Sequence, residues 1–178
     1  KGDFVIQLKN NKKMGSEEYA LDIAETATVT ASTEQALIWG TRTILQISDK
    51  NSVADRAFAT EPAKSADLAL PKGQILDKPE YALRGFMMDC GRKFIPMSYL
   101  RNLVKMMSYY KMNTLHVHLN DNGFRQFFGD DWNKTQAAFR LESTTYPGLT
   151  AKDGSYSKAE FIDFQKLAEE YGVEIIPE

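Results

Sequence analysis

Short apolar runs alternate with amphipathic helical patterns through the second half of the sequence, and this alternation limits the fold more than any other feature. The apolar runs have the length of single strands, and the segments between them repeat apolar residues at helical spacing. The predicted strands and helices are, in chain order, Leu83–Asp89, Met97–Tyr110, Asn113–Leu119, Ser157–Tyr171 and Val173–Ile176. A strand–helix–strand–helix–strand order is typical of a parallel sheet with right-handed crossovers. The sequence therefore predicts an α/β fold for this region.

Polar residues follow each of these predicted strands. They are Asp89–Arg92 after the first strand, Asn120–Arg125 after the second and Glu178 after the third. The carboxyl ends of parallel strands meet at one edge of a sheet, which is where ligands bind in barrels and in open α/β sheets. We expect these side chains to converge on a pocket.

The residues before about position 70 follow a strand pattern with a shorter period. Alternating segments at 4–8, 19–23 and 27–31 predict antiparallel strands. The segment 33–47 places apolar residues near helical spacing behind Ser32 or Thr33 as the N-cap, so it predicts a helix across a small sheet.

Residues 51–72 have no apolar period and predict a connector that holds a further strand around Ala66–Leu70. The change of pattern after this connector predicts an α+β domain over residues 1–75 and an α/β domain over residues 76–178.

Composition excludes several classes of protein. A formal net charge of −2 over 178 residues, without a cluster of Lys or Arg, argues against a nucleic-acid partner. Nothing approaches the roughly 20 apolar residues that a membrane span needs, and the first residues do not resemble a signal peptide. Cys90 is the only cysteine and cannot form a disulfide within the chain.

His116 and His118 point to the same face of their predicted strand because side chains alternate along a strand. This H-x-H pair has the geometry of a metal site, with Asp89 or Glu178 as further ligands, but neither carboxylate lies at a diagnostic spacing. The alternative is that both rings fill the interior of the sheet and bond to neighbouring polar groups. The second interpretation is favoured, so we predict no metal and no cofactor.

Charged residues at the predicted strand ends admit two interpretations. They are Arg84, Asp89, Arg92, Asp121 and Arg125. They form ion pairs that hold the strand ends together, or they line a pocket for a neutral polyhydroxylated ligand, since Arg donates from a rigid fork and a carboxylate accepts from neighbouring hydroxyls. The aromatic residues that would cover a sugar ring, or anchor a loop instead, are Phe124, Phe127, Phe128 and Trp132.

Four quoted stretches carry a family resemblance: YALRGFMMDCGRKFIP, LVKMMSYYKMNTLHVHLNDNGFR, YPGLT and GVEIIPE. In this order they resemble the family 20 glycoside hydrolases, the β-N-acetylhexosaminidases. The preceding stretches GSEEYALDI, TVTA and ALIWGTRTILQI are similar to the small α+β domain of that family. The resemblance implies a non-catalytic α+β domain followed by the first three strands of a (β/α)₈ barrel.

The resemblance also implies roles for individual residues. Arg92 and Asp121 match the residues that hydrogen-bond hydroxyls of the terminal N-acetylhexosamine of a glycan. The residues matched as supports of the pocket are Arg84, Asp89, His116, His118 and Glu178. The family hydrolyses its substrate with retention, through the 2-acetamido group of the substrate, assisted by an adjacent Asp-Glu pair after the fourth strand.

No Asp is directly followed by Glu in this sequence, so the resemblance implies that the catalytic pair lies beyond residue 178. We therefore expect the parent protein to be an exo-β-N-acetylhexosaminidase and this polypeptide alone to be inactive. The alternatives are a sugar-binding module without catalysis and a metal-dependent hydrolase that uses His116 and His118. Family grounds also favour a secreted, periplasmic or cell-surface location.

This sequence departs from the family pattern at several motif positions. The usual S-R-H is Gly91-Arg92-Lys93, the usual D-D is Asp121-Asn122, and the usual G-W-R is Gly123-Phe124-Arg125. An apparent insertion runs from about Gln126 to Arg140 and contains a glycosylation sequon at 133–135.

The third predicted barrel strand would leave one edge unpaired in the isolated chain, and an unpaired strand edge would favour self-association.

Overall fold

The computed structural model describes residues 3–8, 13–48, 70–121, 139–146 and 148–178. The chain divides into two compact units. The first comprises Lys1–Arg84 with Met106–Lys111, and the second comprises Gly85–Lys105 with Met112–Glu178.

The first unit contains a four-stranded sheet in the order β1-β3-β2-β4. Its strands are β1 (Asp3–Leu8), β2 (Tyr19–Ile23), β3 (Thr26–Ala31) and β4 (Gly73–Asp77). β2 is antiparallel to both β3 and β4, but β1 runs parallel to β3. The prediction of a wholly antiparallel sheet was therefore wrong for β1. Alternation of apolar residues fixes which face of a strand is buried but does not fix its direction.

One face of this sheet is covered by helix α1 (Glu34–Ser48). The Thr33 hydroxyl accepts a hydrogen bond from the Ala36 amide at 3.1 Å, which confirms Thr33 as the N-cap. Trp39 and Gly40 are buried against the sheet. A Cβ atom at Gly40 would lie 2.3 Å from Val29 Cγ1, so the helix approaches β3 closely because residue 40 has no side chain.

Strand β4 was not predicted from the sequence. The strand predicted at Ala66–Leu70 and the connector around it lie almost wholly outside the described residues. β4 begins at Gly73 and pairs along the whole of β2, with Tyr19 opposite Asp77. Its short GQILD segment has only one clear alternation of polar and apolar residues, which is too little for a pattern to indicate a strand.

The second unit contains a three-stranded parallel sheet in the order β5-β6-β7. The strands are β5 (Gly85–Asp89), β6 (Thr114–His118) and β7 (Glu174–Pro177). Both pairings are parallel, and Asp89 lies opposite His118. The strand–helix–strand–helix–strand order is thus confirmed, with helix α2 (Met97–Tyr109) before β6 and helix α3 (Lys158–Glu170) before β7.

Helix α3 has defined signals at both of its ends. The Ser157 hydroxyl accepts from the Glu160 amide at 3.1 Å and caps the first turn. Gly172 follows the last turn with φ of 74°, a left-handed conformation that costs glycine little. Phe161, Phe164 and Ala168 are the buried residues on one face of this helix.

Candidate functional site

The carboxyl ends of β5, β6 and β7 are bonded to one another beyond the strands themselves. The Cys90 amide donates to the His118 carbonyl at 2.9 Å, and the Leu119 amide donates to the Glu178 carbonyl at 2.6 Å. These bonds extend the parallel pairing into the segments that carry the predicted site residues. Of the residues predicted to converge, Asp89, Arg92, Asp121 and Glu178 lie in or next to these bonded segments, whereas residues 122–125 lie outside the described residues.

Arg92 joins two carboxylates at this edge. Its Nη1 lies 2.6 Å from Asp89 Oδ2, and its Nη2 lies 2.7 Å from Asp121 Oδ2. The Arg92 amide also donates to Asp89 Oδ1 at 3.0 Å. Partial burial alone would raise the pKa of Asp89, but the hydrogen bonds from the Arg92 amide and guanidinium outweigh it and hold this pKa below its usual range. Arg92 is thereby fixed as a fork between two ionised acceptors.

His118 lies between two carboxylates. Its Nε2 is 2.7 Å from Asp121 Oδ2, and its Nδ1 is 2.6 Å from Glu178 Oε2. Ionised carboxylates only accept hydrogen bonds, and a protonated imidazole donates from both ring nitrogens, so these two partners favour the protonated ring. The hydrogen bond to Asp121, and after it the one to Glu178, raises the pKa of His118. His118 therefore links Asp121, three residues further along the chain, to Glu178, which directly follows β7.

Glu178 also bonds the second histidine, since His116 Nε2 lies 3.0 Å from the same Oε2 atom. The hydrogen bond from His118 is the main cause that lowers the pKa of Glu178. The result is one continuous network of hydrogen bonds and ion pairs. Its members, from β5 to β7, are Asp89, Arg92, Asp121, His118, Glu178 and His116.

Gly91 lets the ends of β5 and β6 approach each other. A Cβ atom at this position would lie 2.7 Å from the Asn120 carbonyl carbon and 3.0 Å from the Asp121 amide nitrogen. Both are backbone atoms that cannot rotate away. The absence of a side chain at residue 91 thus sets the separation between Arg92 and Asp121.

Arg140 is a site residue that the sequence did not indicate, since it fell within the predicted insertion. Its side chain is 0% exposed, and its guanidinium bonds the carbonyls of Cys90 and Gly91 at 2.8 and 3.0 Å. Its charge is paired with Asp153. The only signal in the sequence is an arginine between two apolar residues, Phe139 and Leu141, which by itself does not distinguish a buried arginine from an exposed one.

Two family models match consecutive parts of the chain. Residues 81–178 match the catalytic domain of glycosyl hydrolase family 20, and residues 1–78 match domain 2 of the same family. The chain belongs to glycosyl hydrolase family 20.

Relatives and solved structures of the family agree with this assignment. A β-hexosaminidase of Akkermansia muciniphila is 35% identical over 142 residues, which cover 79% of this chain and 26% of the relative. A β-N-acetylhexosaminidase of Streptomyces coelicolor matches 98% of this chain and 33% of its own with a TM-score of 0.76 at 24% identity. A chitobiase of Flavobacterium johnsoniae matches 98% of this chain and 24% of its own with a TM-score of 0.73 at 25% identity. This chain therefore spans about a quarter to a third of these proteins.

Arg84 of this family 20 chain does not lie among the grouped side chains. It was expected to support the pocket, but it directly precedes β5, and at about 3.3 Å per residue it lies about 17 Å along the strand from Asp89. Its guanidinium pairs with Glu17 and donates to the Tyr81 carbonyl within the first unit. Its position at the amino end of the strand separates it from the edge formed by the carboxyl ends, and its role as a support of the pocket stays a prediction.

Several predicted features of this family 20 chain lie outside the described residues. They are the predicted sugar-covering residues Phe124, Phe127, Phe128 and Trp132, together with Arg125, the sequon at 133–135 and most of the insertion.

In the described parts of the chain, no three His, Cys, Asp or Glu side chains group so as to hold a metal ion. Over the same residues, no helix has the length and apolarity needed to cross a bilayer.

Proposed function

We propose that the complete protein is an exo-β-N-acetylhexosaminidase and that Arg92 and Asp121 bind the terminal sugar of its glycan substrate. The observation that carries the proposal is the ion pair between Arg92 and Asp121, 2.7 Å apart at the carboxyl edge of a sheet matched by a family 20 catalytic domain. The A. muciniphila relative is named a β-hexosaminidase.

The chemistry of this pair suits the hydroxyls of a sugar. Each hydroxyl both donates and accepts, so a site with a carboxylate beside a guanidinium satisfies both functions of neighbouring hydroxyls. The donors and acceptors are held by other members of the network and need little reorganisation when a ligand binds. Asp121 is only 14% exposed, so its bonds are less screened by water than those of a surface carboxylate.

The reaction that fits this family is hydrolysis with retention, assisted by the substrate. The acetamido oxygen attacks the anomeric carbon, the glycosidic oxygen leaves with a proton from an acid, and water then opens the resulting oxazolinium ion. The residues of this chain bind and orient the sugar in these steps. The network from Asp89 to His116 fixes the two groups that hold its hydroxyls.

The same proposal covers the domain organisation. Residues 1–75 form the non-catalytic α+β domain, residues 76–178 supply the first three strands of a (β/α)₈ barrel, and the acid and the acetamido-orienting carboxylate come from elsewhere in the complete protein. On this basis the 178-residue polypeptide alone does not hydrolyse a glycoside, and its open sheet edges favour self-association. We further propose that the protein acts outside the cytoplasm, in keeping with its glycan substrate.

The test compares the complete protein on an aryl N-acetyl-β-glucosaminide and on the matching aryl β-glucoside. Hydrolysis of the first and not of the second supports substrate-assisted catalysis, because only the first carries an acetamido group. The Arg92→Ala variant should lose most of the activity, while Lys166→Ala, which removes an exposed cation from α3, should retain it.

A folded wild-type protein that hydrolyses neither substrate would refute the enzyme proposal. Binding of free N-acetylglucosamine by that inactive protein would favour a sugar-binding module, and calorimetry would measure it directly.

A further inference from the structure

Arg140 makes four interactions through one buried guanidinium. Its Nε donates to the Cys90 carbonyl at 2.8 Å, its Nη2 to the Gly91 carbonyl at 3.0 Å and its Nη1 to the Gly154 carbonyl at 3.0 Å. Its Nη1 also pairs with Asp153. Three of the four acceptors are backbone carbonyls, so the side chain holds the course of the main chain.

The backbone of Arg140 is bonded as well. Its amide donates to the Leu119 carbonyl at 2.9 Å, and its carbonyl accepts from the Tyr156 amide at 2.6 Å. Leu119 directly follows β6 and lies two residues before Asp121. Cys90 and Gly91 directly follow β5 and lead into Arg92. A single residue therefore connects the two segments that carry Arg92 and Asp121.

We propose that Arg140 is a positioning residue, which sets the Arg92 guanidinium against Asp121 for binding of the terminal sugar by holding the backbone on both sides of that pair. This inference rests on the proposed function of Arg92 and Asp121. Arg140 acts through the backbone of residues 90, 91 and 119, at which its bonds converge.

Only arginine fits this position among the cationic residues. A guanidinium is planar and presents donors in a fixed fork, so it can serve two successive carbonyls and a third on the opposite side at once. A lysine ammonium is one point of charge with rotating donors, and it cannot reproduce that fork. The charge also requires its partner, because a buried cation without compensation is costly. Asp153 supplies that partner.

The packing around the guanidinium restricts it further. The Arg140 Cζ atom lies 6.0 Å from the centroid of the Phe94 ring, and that ring lies 5.2 Å from the Tyr156 ring. The Tyr156 hydroxyl donates to the Ile95 carbonyl at 2.5 Å. Residues 94 and 95, which follow Arg92, therefore contact Arg140 and Tyr156, and residues 90 and 91, which precede it, also bond Arg140.

The experiment is a double-mutant cycle in the complete protein with Arg140→Lys and Arg92→Ala. Affinity for free N-acetylglucosamine is measured by calorimetry, and KM and kcat are measured on the aryl N-acetyl-β-glucosaminide. We expect Arg140→Lys to weaken sugar binding and raise KM about tenfold, since displacement of a binding group by a fraction of an ångström has effects of this order. In the Arg92→Ala background the same change should alter binding less than about twofold, because the residue through which it acts is gone.

Phe164→Leu serves as the control for loss of stability. Phe164 is buried in α3 and packs against Phe161, so this change destabilises the second unit without removing a bond to residues 89–92. It should lower the melting temperature and leave KM unchanged. If Arg140→Lys behaves in the same way, with equal effects in both Arg92 backgrounds, Arg140 is merely structural and the positioning proposal is overturned.

If Arg140→Lys does not fold, Asp153→Asn replaces it in the double-mutant cycle with Arg92→Ala. It leaves Arg140 in place but removes its charged partner, so a several-fold weaker affinity that depends on Arg92 supports the proposal and an unchanged affinity overturns it. If the wild-type protein hydrolyses the substrate but the Arg140 variants show no coupling to Arg92, the positioning role alone is refuted. A wild-type protein that neither hydrolyses the substrate nor binds the sugar refutes the proposed function as well.

Discussion

Gly91→Ala tests whether the close approach of two strand ends determines activity. The added Cβ would lie 2.7 Å from the Asn120 carbonyl carbon, whereas ordinary van der Waals contact begins at 3.4 Å. The neighbouring atoms belong to the backbone of residues 120 and 121, so no side-chain rotation relieves the overlap. The two strand ends must move apart.

The difference between 2.7 Å and the contact distance of 3.4 Å sets the size of the effect. If the separation is transmitted to the Arg92–Asp121 pair, the Nη2–Oδ2 distance grows from 2.7 Å to about 3.4 Å, which is too long for a strong charge-assisted hydrogen bond. Misplacement of a binding group by about 1 Å costs on the order of 100-fold in rate, so kcat/KM should fall about 10- to 100-fold. The overlap should also lower the free energy of unfolding by about 1–3 kcal/mol.

The assay measures kcat/KM of the complete protein on an aryl N-acetyl-β-glucosaminide, together with the melting temperature. Gly73→Ala is the matched control, because the same methyl group at that position meets nothing within 4 Å. If Gly91→Ala keeps kcat/KM within about twofold of wild type, the strand ends tolerate the methyl group and the reasoning from this close approach is wrong.

Two further predictions concern stability and protonation. Gly40→Ala should lower the free energy of unfolding, measured by chemical denaturation, by about 1–2 kcal/mol. The added Cβ would lie 2.3 Å from Val29 Cγ1, and this overlap outweighs the gain in helix propensity. An unchanged free energy of unfolding would contradict the close packing of α1 on β3. NMR titration should give His118 a pKa above the value of about 6.5 for an unfolded chain, and Asp121→Asn should lower this pKa more than Glu178→Gln does. Since the folded-state pKa is raised, the stability from His118 is full below about pH 6.5 and is lost as the pH rises through the folded-state value; equal titration in all three proteins would exclude the hydrogen bonds from His118 to Asp121 and Glu178.

The helices and the parallel sheet could be predicted because their signals are local. Ser157 at the start of α3 and Gly172 after its end act within a few residues, and the apolar period of each helix follows from a buried face. The direction of β1 could not be predicted, since it depends on the strand that β1 pairs with and not on its own sequence. β4 is too short for a period to identify it.

The site could be predicted in part. Parallel strands place their carboxyl ends at one edge, so the grouping of Asp89, Arg92, Asp121 and Glu178 follows from their places in the sequence. Arg84 lies apart from this group because it precedes β5 and so lies at the amino end of the strand. Arg140 was missed because its burial depends on carbonyls that are about 50 residues away in the chain, and an arginine in a loop is usually exposed.

The sheet of the first unit also predicts an order of folding. β2 and β3 are joined by only Ala24 and Glu25, so we expect this hairpin to form first, because short hairpins close in about 1–10 μs. β1 and β4 pair over much longer separations, and Tyr19 meets Asp77 across 58 residues. Closing such loops costs more conformational entropy, and both strands lie at the edges of the sheet that the described residues form. Amide hydrogen exchange should therefore be slowest in β2 and β3, and β4 should be the first strand to separate from the sheet.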